Sequence, residues 1–160
     1  MKVTGVRVRR IPRTSAAGYS VGERLRIWCD PCDARIRSAD ADRVYVEWPW
    51  RQVDPASPAW EGTMGFRRDG EHWEWSSTPW RIEPDPEGLG GGDLCMVGIP
   101  ATEVKVVAIE EYDPPGEFGW VPKPTLGIGV CPVADLDDEE AGYVLYLPCG
   151  DPIEIEHLGI

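Results

Sequence analysis

Apolar and polar side chains alternate along several short stretches of this chain. In residues 19–29 two sets of side chains fall on opposite sides, Leu25, Ile27 and Cys29 on one and Arg24, Arg26 and Trp28 on the other. In residues 43–48 the same spacing places Val44, Val46 and Trp48 on one apolar face. A period of two residues is typical of a β-strand with one face toward the core. Both stretches are therefore predicted to be strands.

Similar runs between proline- and glycine-bearing segments predict further strands. They are Val3–Ile11, Ala34–Ser38, Gly62–Phe66, His72–Trp75, Asp93–Ile99, Glu103–Glu110, Leu126–Cys131, Tyr143–Leu147 and Ile153–Glu156. Turn-forming residues predict a turn at Asp30–Asp33, a hairpin through Asp69 and Gly70, and a hairpin at Cys149–Pro152. In the last strand, Glu154 and Glu156 should face water.

The chain has 18 glycines and 16 prolines in 160 residues, which leaves little room for long helices. We predict an all-β fold. A Val-Gly-Glu-Arg segment at residues 21–24, an arginine-bearing strand, an acidic turn and the strand at 43–48 resemble the opening of a small SH3-like barrel. The predicted organisation is an SH3-like barrel with a Trp-rich loop in residues 1–80, a Pro/Gly-rich connector in 81–92, and a second small β-barrel or sheet in 93–160. One larger β-sandwich is the alternative.

A weak internal repeat relates the two predicted units at an offset of 70 residues. It aligns Gly22-Glu23 with Gly92-Asp93, Ile27 with Val97, Arg35-Ile36 with Lys105-Val106, and Asp40 with Glu110. Two units of related design would produce this pattern. Chance would also produce it, because short strands with matched turns look alike.

The net charge of −12 is unevenly distributed. Residues 1–51 carry eleven basic and six acidic groups, a net charge of +5, whereas residues 52–160 carry five basic and 22 acidic groups, a net charge of −17. Such a field repels nucleic acid and anionic membranes and favours a basic partner. A solvated acidic surface, or pairing of the basic part with the acidic part of the same chain, explains the same distribution.

The first ten residues carry scattered charges, and no apolar run approaches the roughly 20 residues of a membrane span. We therefore expect a cytoplasmic protein. The 13 arginines against three lysines suggest a GC-rich coding genome. We expect a bacterial protein. Five cysteines exclude complete disulfide pairing within one chain and favour a reducing compartment.

Cys29 and Cys32 form a CxxC motif and are the candidate zinc ligands. A structural zinc site needs about four ligands, and the other cysteines and the two histidines are scattered along the chain. Two cysteines packed in a core or a turn are the alternative interpretation, because free cysteine is commonly buried.

The tryptophans carry the strongest functional signal, since six of eight lie between residues 42 and 80. Aromatic side chains at strand ends can form a groove for a peptide or a cage for a cation. The candidate partner-binding residues are Trp50, Trp60, Trp73, Trp75, Trp80, Glu61 and Glu74. Tryptophan as a core filler in a chain with two phenylalanines is the alternative.

No catalytic motif is evident in the sequence. The sequence therefore favours a non-enzymatic cytosolic binding protein with an acidic, Trp-bearing surface for a basic protein or peptide. An inhibitor of the immunity or antitoxin type would fit this description. The alternatives are a small-molecule or zinc-binding protein that uses Cys29 and Cys32, and an enzyme with an active site between the two units.

Overall fold

A computed structural model of the protein describes residues 7–50, 53–57, 62–68, 78–116 and 121–160. The prediction of an all-β fold is confirmed. The strands are β1 (Arg9–Arg13), β2 (Ser15–Ala16), β3 (Tyr19–Ser20), β4 (Arg24–Ala39), β5 (Arg43–Glu47), β6 (Thr63–Arg67), β7 (Arg81–Glu83), β8 (Leu94–Asp113), β9 (Leu126–Pro132), β10 (Tyr143–Leu147) and β11 (Glu154–Gly159). The helical segments in the described residues are single 3₁₀ turns, at Pro86–Gly88, Val133–Asp135 and Glu139–Ala141.

Two long strands, β4 and β8, pair with each other at the centre of one curled nine-stranded sheet. One part of the sheet, the first lobe, has the order β6-β5-β4-β8-β7. The other part, the second lobe, has the order β10-β9-β8-β4-β11. Strand β1 extends the sheet along the end of β8, while β2 and β3 form a separate two-stranded sheet.

The pairing of β4 with β8 has an internal two-fold symmetry centred on the pair Cys29–Ile99. Any antiparallel register is preserved when the two strands are exchanged, but only an offset of 70 residues also maps the irregular pair Cys29–Ile99 onto itself and exchanges the register shifts on its two sides. The symmetric pairs are Arg24–Lys105 with Arg35–Leu94, Leu25–Val104 with Ala34–Cys95, Arg26–Glu103 with Asp33–Met96, and Ile27–Thr102 with Cys32–Val97. The repeat predicted at an offset of 70 therefore corresponds to a structural duplication.

The symmetry extends beyond the central strands. The β4–β5 pairing has a register shift between Ile36 and Ser38, and the β8–β9 pairing has one between Val106 and Ala108, 70 residues later. Strand β7 pairs with β8 as β11 pairs with β4. Thus β7, from the first half of the chain, pairs with the long strand β8 of the second half. In the same way β11, from the second half, pairs with the long strand β4 of the first.

The turns that lead into the two long strands are also equivalent. Gly22 and Gly92 have positive φ angles of 96° and 90°, a conformation that glycine adopts without steric cost. Gly22 donates its backbone N–H to Val106, as Gly92 does to Ile36. The side chains of Glu23 and Asp93 each accept a backbone N–H three residues earlier, from Ser20 and Gly90.

Both lobes contribute to a single hydrophobic core. Its fully buried members alternate along the strands, as the period-two pattern predicts. They include Leu25, Ile27, Ile36, Val44, Val46, Val97, Val104, Val106, Ile128 and Val130. Glu154 and Glu156 are exposed, as predicted, while Ile153 and Ile155 pack against the core. The β4–β8 pairing joins the two predicted units in one sheet, and their division into domains stays a prediction, as does the SH3-like detail.

Two local predictions are wrong. Asp30–Asp33 is not a turn between strands, because β4 continues through it with register shifts on both sides of Cys29. Cys149–Pro152 does not close a hairpin, because β11 pairs with β4 and not with β10. In both places a short-range turn signal was overridden by long-range strand pairing. The predicted hairpin at Asp69-Gly70 and the strands at Val3–Ile11 and His72–Trp75 lie wholly or partly outside the described residues.

The irregular part of β4 approaches β8 closely at Gly98. A Cβ atom on Gly98 would lie 2.9 Å from the carbonyl oxygen of Cys29 and 3.1 Å from Cα of Pro31. Both contacts are with backbone, which cannot rotate away. The glycine therefore permits the close approach of the two central strands.

Replacing Gly98 with alanine should lower the free energy of unfolding by about 1–3 kcal/mol, because the added methyl group forces the strands apart. Urea denaturation measures the change. Gly88→Ala is the matched control, since a Cβ at that position meets no atom within 4 Å. Equal stability of the two variants would contradict the close approach.

Candidate functional site

Three tryptophans form a compact cluster at the end of the first lobe. The ring of Trp48 lies 5.3 Å from that of Trp50 and 4.8 Å from that of Trp80, centroid to centroid. Trp50 and Trp80 are 5.1 Å apart. The first two contacts are edge-to-face, a geometry that aromatic quadrupoles favour and that contributes about 0.5–1.5 kcal/mol per pair. The cluster is therefore a rigid aromatic unit.

A carboxylate from the connection between β10 and β11 fixes the orientation of this cluster. The indole Nε1–H of Trp48 donates to Oδ1 of Asp151 at 2.9 Å. Burial raises the pKa of Asp151, and hydrogen bonds from the side chains of Trp48 and Cys149 oppose that rise. Cys149 is exposed as a residue, but displacement of water from its thiol and the charge of Asp151 raise the pKa of that thiol to about 11. The second half of the chain thus supports the tryptophan cluster of the first.

A shallow groove of about 300 Å³ runs along the outer surface beside Trp48. Its lining combines carboxylates, one arginine and apolar side chains. These residues are Asp33, Ala34, Arg35, Glu47, Trp48, Pro49 and Leu94. Leu94 is 70% exposed, so a large apolar side chain stands in solvent at one edge of the groove. This arrangement can hold a chain segment by apolar contact and by charge.

Of the seven predicted binding residues, the structure describes Trp50 and Trp80. Trp50 is half-buried in the cluster, but Trp80 is only 5% exposed, so its predicted position at the surface is wrong. The ring of Trp80 belongs to the core because Trp80 directly precedes β7, and β7 pairs with β8. Five predicted binding residues lie outside the described residues: Trp60, Trp73, Trp75, Glu61 and Glu74.

Sequence reasoning missed the groove residues and Asp151. Asp33 and Leu94 lie on neighbouring strands that are about 60 positions apart in the chain, and the pairing of β4 with β8 brings them together. The available signal was the internal repeat, which implies symmetric pairing of the two long strands. Asp151 had no comparable signal, because its loop was predicted to be a simple hairpin.

The two cysteines of the CxxC motif face different environments. Cys29 is buried and its thiol donates to the backbone oxygen of Asp30, while half-buried Cys32 donates to that of Asp33. Burial, reinforced by nearby acids, raises the pKa of Cys29, and a zinc ligand must be a thiolate. No group of three or more His, Cys, Asp or Glu side chains within the described ranges could hold a metal ion. The zinc alternative stays a prediction.

Comparisons with models of known protein families, with curated proteins and with solved structures found no match. In the described part of the chain, no helix has the length and apolar character needed to cross a membrane.

The acidity of Asp151 gives a pH-dependent test of the Trp48 support. Because the folded-state pKa of Asp151 is raised above its ordinary value of 3.8, the stability that this group provides is present below pH 3.8 and is lost as the pH rises through the folded value. An asparagine retains an acceptor for Trp48 but does not titrate. We expect Asp151→Asn to gain stability relative to the wild type as the pH rises over this range, measured by urea denaturation at a series of pH values. Asp137→Asn at an exposed position is the control, and parallel profiles for the wild type and Asp151→Asn would refute the assignment.

For the cysteines, we expect purified protein to contain far less than one zinc per chain by elemental analysis. One tightly bound zinc per chain that is lost in Cys32→Ser would establish the zinc alternative instead.

Proposed function

We propose that this chain is a non-enzymatic binding protein whose tryptophan-bearing, acidic surface receives a basic protein or peptide. The observation that carries the proposal is the groove beside Trp48, where Asp33 and Glu47 lie next to exposed Leu94 and to Pro49. Arginine and lysine have apolar stems and charged ends, so such a surface suits them. Arg35 in the same lining repels a cation placed close to it, which would favour one orientation of a basic segment.

The rigidity of the aromatic cluster supports the same proposal. Trp48 is fixed by two edge-to-face contacts and by its hydrogen bond to Asp151, so little conformational entropy is lost when a partner docks against it. Pre-ordered aromatic side chains are typical centres of protein interfaces. Residues 52–160 carry a net charge of −17, which would attract a basic partner over a long range.

An inhibitor of the immunity or antitoxin type in a bacterial cytoplasm is the form of this function that we favour. Such inhibitors neutralise a partner by covering it and need no chemistry of their own. A basic partner that acts on nucleic acid would present the cationic surface that this chain complements.

The test is co-purification with basic proteins encoded beside this chain in its own genome. We expect one of them to bind with a dissociation constant that rises about tenfold or more between roughly 50 and 500 mM NaCl, because charge contributes to the complex. At a fixed salt concentration, Trp50→Ala should bind the partner more weakly than the wild type, measured by calorimetry. Trp28→Ala on β4 is the tryptophan control and should bind as the wild type does. A salt-independent complex, or no complex with any basic neighbour, would refute the proposal.

A further inference from the structure

The duplication provides an internal comparison for the outer surface beside the groove. Two sets of four residues occupy equivalent positions in the two lobes. In the first lobe they are Glu83, Met96, Asp33 and Leu94, which we call the open face. In the second lobe they are Glu156, Arg26, Glu103 and Arg24, which we call the paired face. The symmetry that relates β4 to β8 maps Glu83 onto Glu156, Met96 onto Arg26, Asp33 onto Glu103 and Leu94 onto Arg24.

On the paired face, two arginines neutralise two carboxylates. Arg26 contacts Glu156 at 3.1 Å, and Arg24 contacts Glu103 at 3.9 Å. Arg24 and Arg26 are two residues apart on one strand, so their side chains leave the same side of the sheet. Each of the two carboxylates on this face is therefore paired with an arginine of the same chain.

On the open face, the same two carboxylate positions are kept and the two arginines are replaced. Asp33 stands for Glu103 and Glu83 for Glu156, while Leu94 and Met96 stand for Arg24 and Arg26. Leu94 is 70% exposed and Met96 is 38% exposed. Neither Asp33 nor Glu83 forms an ion pair with any residue that the structure describes.

A neighbouring cation does not explain the difference between the faces. Arg35 lies beside the open face, but its equivalent in the second lobe is Lys105, so each face has one such group. The two faces therefore differ in one respect. Where the paired face has two arginines, the open face has two large apolar side chains that are exposed to solvent. An apolar pair flanked by unneutralised carboxylates suits a ligand that is both apolar and cationic.

We infer that the open face binds a basic-x-basic segment of the partner, whose two cations take the places that Arg24 and Arg26 occupy on the paired face. The stems of the two basic side chains pack on Leu94 and Met96, and their charged ends reach Asp33 and Glu83. The i, i+2 spacing follows from that of Arg24 and Arg26, which serve the equivalent carboxylates at this spacing. This inference rests on the proposed function and locates its partner.

A second copy of this chain is a poorer occupant of the open face. The protein has a net charge of −12, so two copies repel each other, and the open face itself carries two carboxylates. The arginines of the paired face are already engaged with Glu103 and Glu156. A partner of opposite charge meets neither obstacle.

The methyl resonance of Met96 reports binding at this face directly. The protein, labelled with ¹³C at its methionine methyl groups, is titrated at low salt with the peptide Gly-Thr-Arg-Thr-Arg-Thr-Gly. We expect the Met96 signal to shift in a saturable manner, and the signal of Met64, whose side chain packs against the core, to stay in place. The peptide Gly-Thr-Arg-Arg-Thr-Thr-Gly, of equal charge and composition, should bind several times more weakly if the i, i+2 spacing matters.

The variant Asp33→Asn/Glu83→Gln should weaken this binding roughly tenfold, since two partly exposed charge pairs are lost. Glu87→Gln/Asp137→Asn removes two exposed charges elsewhere and should change the affinity less than about twofold. Both sets are conservative surface changes, and an unchanged unfolding temperature verifies that each variant folds.

The outcomes separate this inference from the proposed function. Peptide binding, detected by tryptophan fluorescence, with no shift of Met96 or with equal losses in the two variants would overturn the open face as the site and leave a basic-partner function standing. No binding of either peptide would count against both. Self-association that disappears in Asp33→Asn/Glu83→Gln, seen by sedimentation, would show that a second copy is the occupant and would also overturn the inference.

Discussion

The antiparallel pairing of β4 with β8 is the constraint on which the rest of the structure depends. Strands β5 and β11 pair with β4, and strands β9, β7 and β1 pair with β8. Within the two lobes, every other strand except β6 and β10 therefore pairs with β4 or β8. Their register has a two-fold centre at Cys29–Ile99, where Gly98 allows the backbones to approach. One core then forms from both halves of the chain, and neither half completes its lobe without a strand of the other.

Much of this arrangement could be predicted from the sequence, because burial in a sheet imposes a period of two. Leu25, Ile27 and Cys29 are buried on one side of β4, as their spacing predicts. The offset of 70 residues also identified the equivalent strands. The turns at residues 30–33 and 149–152 were wrong because local turn propensity contains no information on which distant strand will pair. The same limit applies to Trp80, a predicted partner-binding residue whose ring lies in the core.

The candidate site could not be predicted from local pattern because it is a difference between two similar surfaces. A charged or apolar residue on an outer sheet face is unremarkable by itself. Once the lobes are compared, the replacement of Arg24 and Arg26 by Leu94 and Met96 stands out, since the carboxylates that those arginines neutralise persist as Asp33 and Glu83. Comparison of the two lobes thus distinguishes residues that both lobes share from residues that are specific to the first lobe.

The most direct test of this account restores the missing cations within the chain. The variant Leu94→Arg/Met96→Arg gives the open face the charge pattern of the paired face, and Leu136→Arg/Val144→Arg adds the same charge at two other exposed apolar positions. The measurement is the affinity of each variant for the basic-x-basic peptide. The account predicts that the first variant loses binding and that the second retains most of it. Equal losses in the two variants, or binding retained by the first, would contradict the account.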